Sequence, residues 1–187
     1  MTNVIDEQVI VQIRNRCFIE DLPFHCDIDV FCFKLKNDKL LSDKDLIFYN
    51  NQSDKSNSLK VLPVGDLVYD CDFRMVINNK KLTQERNTLK LICCPDFSQK
   101  NNDSNIGYFE IEINHSIIEF DLNLNDLDLS LNSFSKKNTI SWKSHFEIES
   151  YPMLVLEIDF LNDLNFKVDF PKRNLEQNIN DIIEQFL

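Results

Sequence analysis

The chain has 187 residues, a formal net charge of −11 at pH 7 and only two glycines, Gly65 and Gly107. Because these glycines stand alone, the sequence contains no glycine-rich phosphate loop. The acidic balance argues against non-specific nucleic-acid binding and against docking on anionic lipid. It is compatible with a cation or a basic protein partner, although acidity also serves solubility alone.

The composition favours one domain rich in β-structure. The length suits a single domain spanning residues 1–187, and 15 phenylalanines without any alanine favour strands over a helical bundle. The opening residues, MTNVIDEQ, do not resemble a secretory signal, and no apolar run approaches the roughly 20 residues of a membrane helix. We therefore expect a cytoplasmic protein whose six cysteines are free thiols.

No side chain stands in a catalytic motif. The three histidines, His25, His115 and His145, are scattered along the chain, and no serine or cysteine lies in a nucleophile motif. Cys93 and Cys94 belong to an apolar strand pattern, which is typical of inert buried thiols. We expect neither an enzyme nor a zinc site of paired Cys and His ligands.

The most informative stretch is 26–51, CDIDVFCFKLKNDKLLSDKDLIFYNN. Its apolar runs predict two buried strands, 26–35 and 46–49, joined by a turn at Asn37-Asp38-Lys39. The first strand is apolar on both faces, which predicts that both faces are covered. Asp27 and Asp29 alternate with apolar residues, so their carboxylates share one face at the start of this strand.

Apolar and alternating runs predict further strands along the chain. Residues 18–26 are interpreted as a link, Asn78-Asn79 as a turn, and Asn114-His115-Ser116 as the turn of a hairpin. The pattern at 174–187 predicts an amphipathic helix capped by Asn174. The other predicted strands cover residues 9–13, 73–78, 89–94, 108–114, 117–122, 142–148, 153–160 and 166–170.

These elements predict a mainly β fold, a two-sheet β-sandwich of roughly eight to ten strands with the C-terminal helix packed on it. One core is expected between the sheets. Its predicted members are Ile28, Val30, Phe48, Met75, Leu91, Ile111, Leu156 and Val168.

The sequence DIDVFCFKL, followed by a turn and SDKDLIFYNN, resembles the TerD family of tellurite-resistance and stress-response proteins. Members carry an Asp-Leu-Asp strand, a short turn and then Ser-Asp-x-Asp-Phe-x-Phe-Tyr-Asn. The resemblance covers residues 27–186 and marks a divergent member, with later matches at Phe120-Asp121-Leu122 and Phe166-Lys167-Val168. It implies a TerD-like β-sandwich and a cytoplasmic, non-enzymatic stress-response protein that binds calcium in its standard members.

In that family a loop of glycines and acidic residues supplies calcium ligands. The matching segment here keeps Asp66, Asp70 and Asp72, whereas Leu67-Val68-Tyr69 stand where the family has glycine and acid. With Asp27 and Asp29 these residues define a candidate calcium site, because Ca²⁺ takes six to eight oxygen ligands. The proposed metal ligands are therefore Asp27, Asp29, Asp66, Asp70 and Asp72.

The alternative hypothesis assigns these aspartates to ordinary surface charge at a strand end and in a loop. The chain would then be a metal-free protein-interaction module or a scaffold component of a larger assembly. Both hypotheses involve a protein partner and neither involves nucleic acid or a membrane. The sequence identifies no particular partner and no oligomeric state.

Overall fold

The computed structural model describes residues 4–19, 22–24, 28–63, 71–95, 106–120, 139–147, 151–162 and 165–187. Within these residues lie two α-helices, α1 (Asn79–Glu85) and α2 (Ile179–Phe186), and a 3₁₀ turn at Asp43–Asp45. The same residues form thirteen strands: β1 (Val4–Ile19), β2 (Leu22–Phe24), β3 (Ile28–Lys36), β4 (Lys39–Leu40), β5 (Leu46–Ile47), β6 (Leu59–Val61), β7 (Phe73–Asn78), β8 (Thr88–Pro95), β9 (Ile106–Phe120), β10 (Thr139–Glu147), β11 (Met153–Phe160), β12 (Phe166–Asp169) and β13 (Arg173–Asn174).

The strands form two antiparallel sheets. The first sheet has the order β10-β9-β1-β7-β6, with β2 added beside β1. The second has the order β12-β11-β8-β3-β4, with β13 beside β11 and β5 beside β3. The strands outnumber the predicted eight to ten because several are only two or three residues long.

One apolar core fills the space between the sheets. Val9, Val11 and Ile13 of β1 enter it from the first sheet, while Leu89 and Leu91 of β8 enter it from the second. The predicted two-sheet β-sandwich is therefore confirmed. Seven of the eight predicted core residues either belong to this cluster or pack against it: Ile28, Val30, Met75, Leu91, Ile111, Leu156 and Val168.

The eighth predicted core residue, Phe48, lies elsewhere. Ile47 is the residue of β5 that enters the core between the sheets, and it is fully buried. Since successive strand residues point to opposite faces, Phe48 turns to the outer face of the second sheet. There its ring stacks on Phe31, with 5.8 Å between ring centroids.

Strand β3 is buried on both faces, as its sequence predicts. Val30 and Cys32 face the first sheet, whereas Phe33 and Leu35 face a second cluster beneath α2. Strand β11 also faces both clusters, since Leu154 packs in the outer cluster while Val155 and Leu156 lie in the core between the sheets. A β-bulge, which shifts the register with β8 between Leu154 and Leu156, accompanies this change of face. An unbroken apolar run can therefore serve two cores at once.

The hairpin predicted around residue 115 is wrong, because β9 runs without a turn from Ile106 to Phe120. At its centre Asn114 pairs with Ile10 of β1 on one side and with Ser141 of β10 on the other. Pairing on both sides satisfies the backbone of this segment, which overrides the turn preference of Asn and Ser. The link predicted at 18–26 is also partly a strand, since Pro23 of β2 pairs with Phe18.

Helix α1 replaces the turn predicted at Asn78-Asn79. The side chain of Asn78 caps the helix by accepting a hydrogen bond of 3.0 Å from the amide of Lys81. The helix ends at Arg86, whose φ of 54° is left-handed. Leu82 anchors the helix, since its side chain is buried in the core between the sheets.

Helix α2 is shorter than predicted. Asn174 lies in β13 and pairs with β11, so the helix begins after Asn178, whose side chain accepts from the amide of Asp181 at 3.0 Å. The predicted apolar stripe does cover the second sheet. Its members Leu175, Ile179, Ile182, Ile183 and Phe186 all pack in the cluster on that outer face.

We predict that Ile182→Asp lowers the stability of the folded protein. Ile182 is only 2% exposed, because it lies on the side of α2 that packs on the second sheet. A carboxylate buried there without a partner should cost about 3 kcal/mol or more of stability, which is a fall in melting temperature of roughly 6–12 °C. The measurement is thermal unfolding followed by circular dichroism. Gln185→Asp is the control, since it places the same charge on the exposed side of α2 and should change the melting temperature little. Equal melting of Ile182→Asp and wild type would show that α2 is not docked in solution.

Candidate binding cleft

A cleft of about 310 Å³ lies where the start of β3 faces the end of β6 and the start of β7. The second sheet contributes residues 28–31 and the turn after β5, through Phe48, Tyr49 and Gln52. The first sheet contributes residues 61–63 and 72–73. The cleft is therefore built by both sheets of the sandwich.

Two of the five predicted calcium ligands line this cleft, one from each sheet. Asp29 lies in β3 and Asp72 immediately precedes β7, and both are exposed. The amide of Asp72 donates a hydrogen bond of 2.8 Å to the carbonyl of Ile13, so its backbone is fixed against β1. The other three candidates, Asp27, Asp66 and Asp70, lie outside the described residues.

The described part of the cleft fits calcium only in part. The carboxylates of Asp29 and Asp72 are hard oxygen donors of the kind that Ca²⁺ prefers, whereas the side chains at 61–63 are apolar and offer no ligand. Across the described ranges no group of three or more His, Cys, Asp or Glu side chains is placed to hold a metal ion. Two carboxylates alone do not complete a shell of six to eight oxygens.

Aromatic rings form one wall of the cleft. Phe31 and Phe48 stack on each other, and the ring of Tyr49 meets Phe48 edge to face at 5.7 Å between centroids. Tyr49 remains 67% exposed. It therefore presents an exposed aromatic ring to the same cleft that Asp29 lines.

Asn51 holds this aromatic turn in place. Phe48 and Asn51 exchange backbone hydrogen bonds of 2.9 and 3.1 Å, which close the turn around Tyr49 and Asn50. The side-chain amide of Asn51 donates to the carbonyl of Leu46 at 2.6 Å. The Phe-Tyr-Asn-Asn sequence thus has a structural reason, because its last Asn locks the preceding aromatic residues onto the end of β5.

A buried charge network anchors the segment that leads from this turn to β6. The side chain of Asp54 is 0% exposed, and its Oδ1 accepts from the amides of Ser58 and Leu59 at 2.6 and 2.8 Å. Its Oδ2 accepts from Lys34 Nζ at 2.9 Å, and Lys34 Nζ also lies 2.8 Å from Glu85 Oε2. Strand β3, the segment before β6 and the end of α1 are joined at this point.

The network favours the ionised forms of its members. Burial opposes the charge on Asp54, yet the hydrogen bonds from its own loop and from Lys34 hold the pKa of this carboxyl well below its usual range. Burial also opposes the charge on Lys34, but the bonds to Glu85 and Asp54 outweigh it and raise the pKa of the ammonium. The cluster therefore consists of a buried cation held between two anions.

The sequence patterns did not indicate Asp54 as a site residue, although one signal was present. Lys34 interrupts an apolar run in a strand with two covered faces, and a buried cation requires an opposite charge. The residue that supplies this charge lies 20 positions away. Its identity follows only from the path of the loop.

Cys93 and Cys94, on the strand beside Asp29, have the properties predicted for inert cysteines. Cys93 faces the core between the sheets, whereas Cys94 packs against the outer cluster. Burial, together with the negative charge of Asp29, raises the pKa of Cys94 to about 12. A thiol with such a pKa stays protonated at neutral pH, which makes it a poor nucleophile.

The two packed antiparallel sheets with a short C-terminal helix define a β-sandwich of the TerD-like fold. The chain superposes with a TM-score of 0.55 on SCO6318, a homologue of telluride resistance protein TerD from Streptomyces coelicolor A3(2), at 7% identity and 95% coverage of both chains. It is similar to SAV2460, a protein of unknown function, with a TM-score of 0.52, 7% identity and 95% coverage of both chains. At this identity the likeness establishes the fold and marks a divergent sequence.

No protein-family model matches the sequence, and the comparison with curated proteins finds no match either. In the part of the chain that the structure describes, neither helix has the length and apolar character needed to cross a membrane.

We predict that Asp54→Asn destabilises the protein by about 3 kcal/mol or more at neutral pH, because it leaves a buried charge with one partner fewer. The change also alters acid sensitivity. Folding lowers the pKa of Asp54. The stability that the ionised carboxylate contributes is therefore complete above about pH 4, the pKa of Asp in the unfolded chain. It is lost as the pH falls further.

The test is to compare unfolding free energies between pH 7 and pH 3. The wild-type value should fall more steeply below about pH 4 than that of Asp54→Asn. Asp38→Asn is the control, since Asp38 is an exposed residue of the turn after β3 and its carboxylate faces Lys90, outside the Asp54 network. Parallel acid curves for the wild type and Asp54→Asn would contradict the proposed role of the network.

Proposed function

We propose that this chain is a non-enzymatic, TerD-like domain of the stress-response type, which works in the cytoplasm by binding a ligand in the cleft beside Asp29 and Asp72. One observation carries the proposal: Asp29 on the side of the second sheet and Asp72 on the side of the first line one cleft, whose other described lining residues are aromatic or apolar apart from Gln52. Sites that bind without chemistry commonly combine an apolar surface with a few polar groups that fix orientation.

The resemblance of the sequence to TerD proteins supports the stress-response assignment. The solved homologue with the same fold is described as a relative of telluride resistance protein. A role for this chain in resistance to tellurite is therefore part of the proposal.

The aromatic wall favours protein interaction as the mode of action. Tyr49 is exposed on a turn that Asn51 holds rigid, and exposed tyrosines on rigid backbone are common anchors of protein interfaces. The apolar side chains at 61–63 extend this surface. These features support a metal-free interaction module within a larger assembly.

Calcium binding is the second candidate, favoured by the two carboxylates in the cleft. The proposed ligands are those that the family resemblance indicates, Asp27, Asp29, Asp66, Asp70 and Asp72. Calcium would supply a positive charge that offsets the charges of these carboxylates. Folding and metal binding would then be linked, since an unfolded chain has no assembled site.

If calcium binds, we expect it to raise the melting temperature. Ligand at one hundred times its dissociation constant adds about 2.7 kcal/mol of stability, which is a rise of roughly 5–10 °C for a domain of this size. The measurement is thermal unfolding in millimolar calcium and in chelator, with magnesium as the comparison ion.

The double variant Asp27→Asn, Asp29→Asn should abolish this rise, whereas Asp38→Asn should keep it. The metal-free double variant should be as stable as the wild type or slightly more stable, because repulsion between like charges is relieved. No difference between calcium and chelator would remove the calcium hypothesis and leave the metal-free interaction module.

A further inference from the structure

We propose that the cleft receives an arginine side chain of a partner protein, with the guanidinium paired to Asp29 and its alkyl stem laid along the aromatic wall. This inference rests on the proposed function, since it takes the cleft as the binding site and names the chemistry of the occupant. It applies to the metal-free interaction module.

The size of the cleft suits a single side chain. A volume of about 310 Å³ lies at the lower end of the range for ligand pockets. It is too small for a folded element but sufficient for one long side chain. A partner would therefore dock an anchor residue here while the rest of its interface covers the rim.

The charge of the cleft selects a cation. Both carboxylates among the described lining residues, Asp29 and Asp72, are acidic groups, and no lysine, arginine or histidine is among these residues. Within the described part of the chain Asp29 makes no ion pair, and its side chain is exposed at the start of β3. The chain as a whole has a net charge of −11, which steers basic segments toward it.

The walls favour an organic cation over a metal ion. Phe31, Phe48 and Tyr49 present rings, and the residues at 61–63 present apolar side chains. Among the described lining residues, the carboxylates of Asp29 and Asp72 and the amide of Gln52 therefore supply fewer oxygens than a metal shell of six to eight requires. These same groups suit an alkyl stem, which long basic side chains lay along apolar surface. The aromatic rings also attract a cation through their faces.

Arginine fits this site better than lysine. Its planar guanidinium can stack on the face of Tyr49 and bond a carboxylate through two parallel N–H groups. The ammonium of lysine is a compact, strongly hydrated point charge and would lose more hydration beside apolar walls. Arginine and tyrosine are also the residue types that recur as interface anchors.

The test uses the full chain labelled with ¹⁵N and titrated with Nα-acetyl-arginine amide. Nα-acetyl-citrulline amide is the matched probe, because it has the same shape and no charge. We expect the arginine probe to shift the amide signals of Asp29, Tyr49, Gln52 and Phe73, which line the cleft. The citrulline probe should bind about five- to tenfold more weakly, as expected for the loss of one net hydrogen-bonded contact at an exposed site.

Variants assign the contacts. Asp29→Asn should weaken arginine binding about five- to tenfold while leaving citrulline binding unchanged, and its exposed position allows the fold to persist. Tyr49→Ala should weaken both probes, because the wall is lost for each. Asp38→Asn, at the other end of β3, should match the wild type. Well-dispersed amide signals verify that each variant is folded.

The outcomes separate this inference from the proposed function. Equal binding of arginine and citrulline, or shifts confined to residues outside the cleft, would overturn the arginine assignment. Calcium is then added to a fresh sample. If calcium moves the signals of Asp29 and Asp72 while arginine does not, the inference fails and the calcium hypothesis stands. If neither probe acts on the cleft, the inference and the proposed use of the cleft fail together.

Discussion

The two-sided burial of β3 is the constraint on which the rest of the molecule depends. Cys32 and Phe33 are adjacent and both fully buried, yet they face different clusters. A strand with apolar side chains on both faces needs two covering layers. The first sheet supplies one layer and α2 supplies the other. Each fully buried side chain of this kind contributes about 1.5–3 kcal/mol, so the C-terminal helix is a necessary part of the core.

The same strand connects the core to the cleft. Asp29 lies near its beginning and is exposed, and Lys34 lies five positions later in its buried stretch. Through Asp54, Lys34 holds the segment that continues into β6, whose last residue lines the cleft. A rigid strand therefore sets one wall of the cleft and anchors another. Binding residues on such a support keep their geometry better than residues on a loop alone.

Much of the fold could be predicted from the sequence, and the errors have identifiable causes. Strand β11 was predicted at its observed limits, 153–160, because an apolar run there is followed by turn residues. The prediction failed at Asn114, where a local turn preference was overridden by pairing with β1 and β10. Helix α1 was missed although Asn78 precedes a run of good helix formers, since two successive asparagines also favour a turn.

The site was less predictable than the fold. Asp29 and Asp72 were selected from spacing and family resemblance, and both line one cleft. Asp54 was not selected, because its partners come from its own loop and from a lysine on another strand. No periodic pattern links such residues. The stacking of Phe48 on Phe31 was equally hard to predict, because it depends on where β5, a strand of only two residues, ends.

The pairing of β1 with β9 has a consequence for the order in which the protein can be assembled. Arg14 bonds Glu112 across 98 residues of chain, and Val4 pairs with Phe120. A ribosome adds roughly 5–20 residues per second, so the first strand emerges on the order of 5–20 s before its principal neighbour exists. Strand β7 arrives earlier and can shield one edge of β1. The other edge stays open until β9 has been synthesised, so its unpaired backbone groups can pair with another chain during that interval.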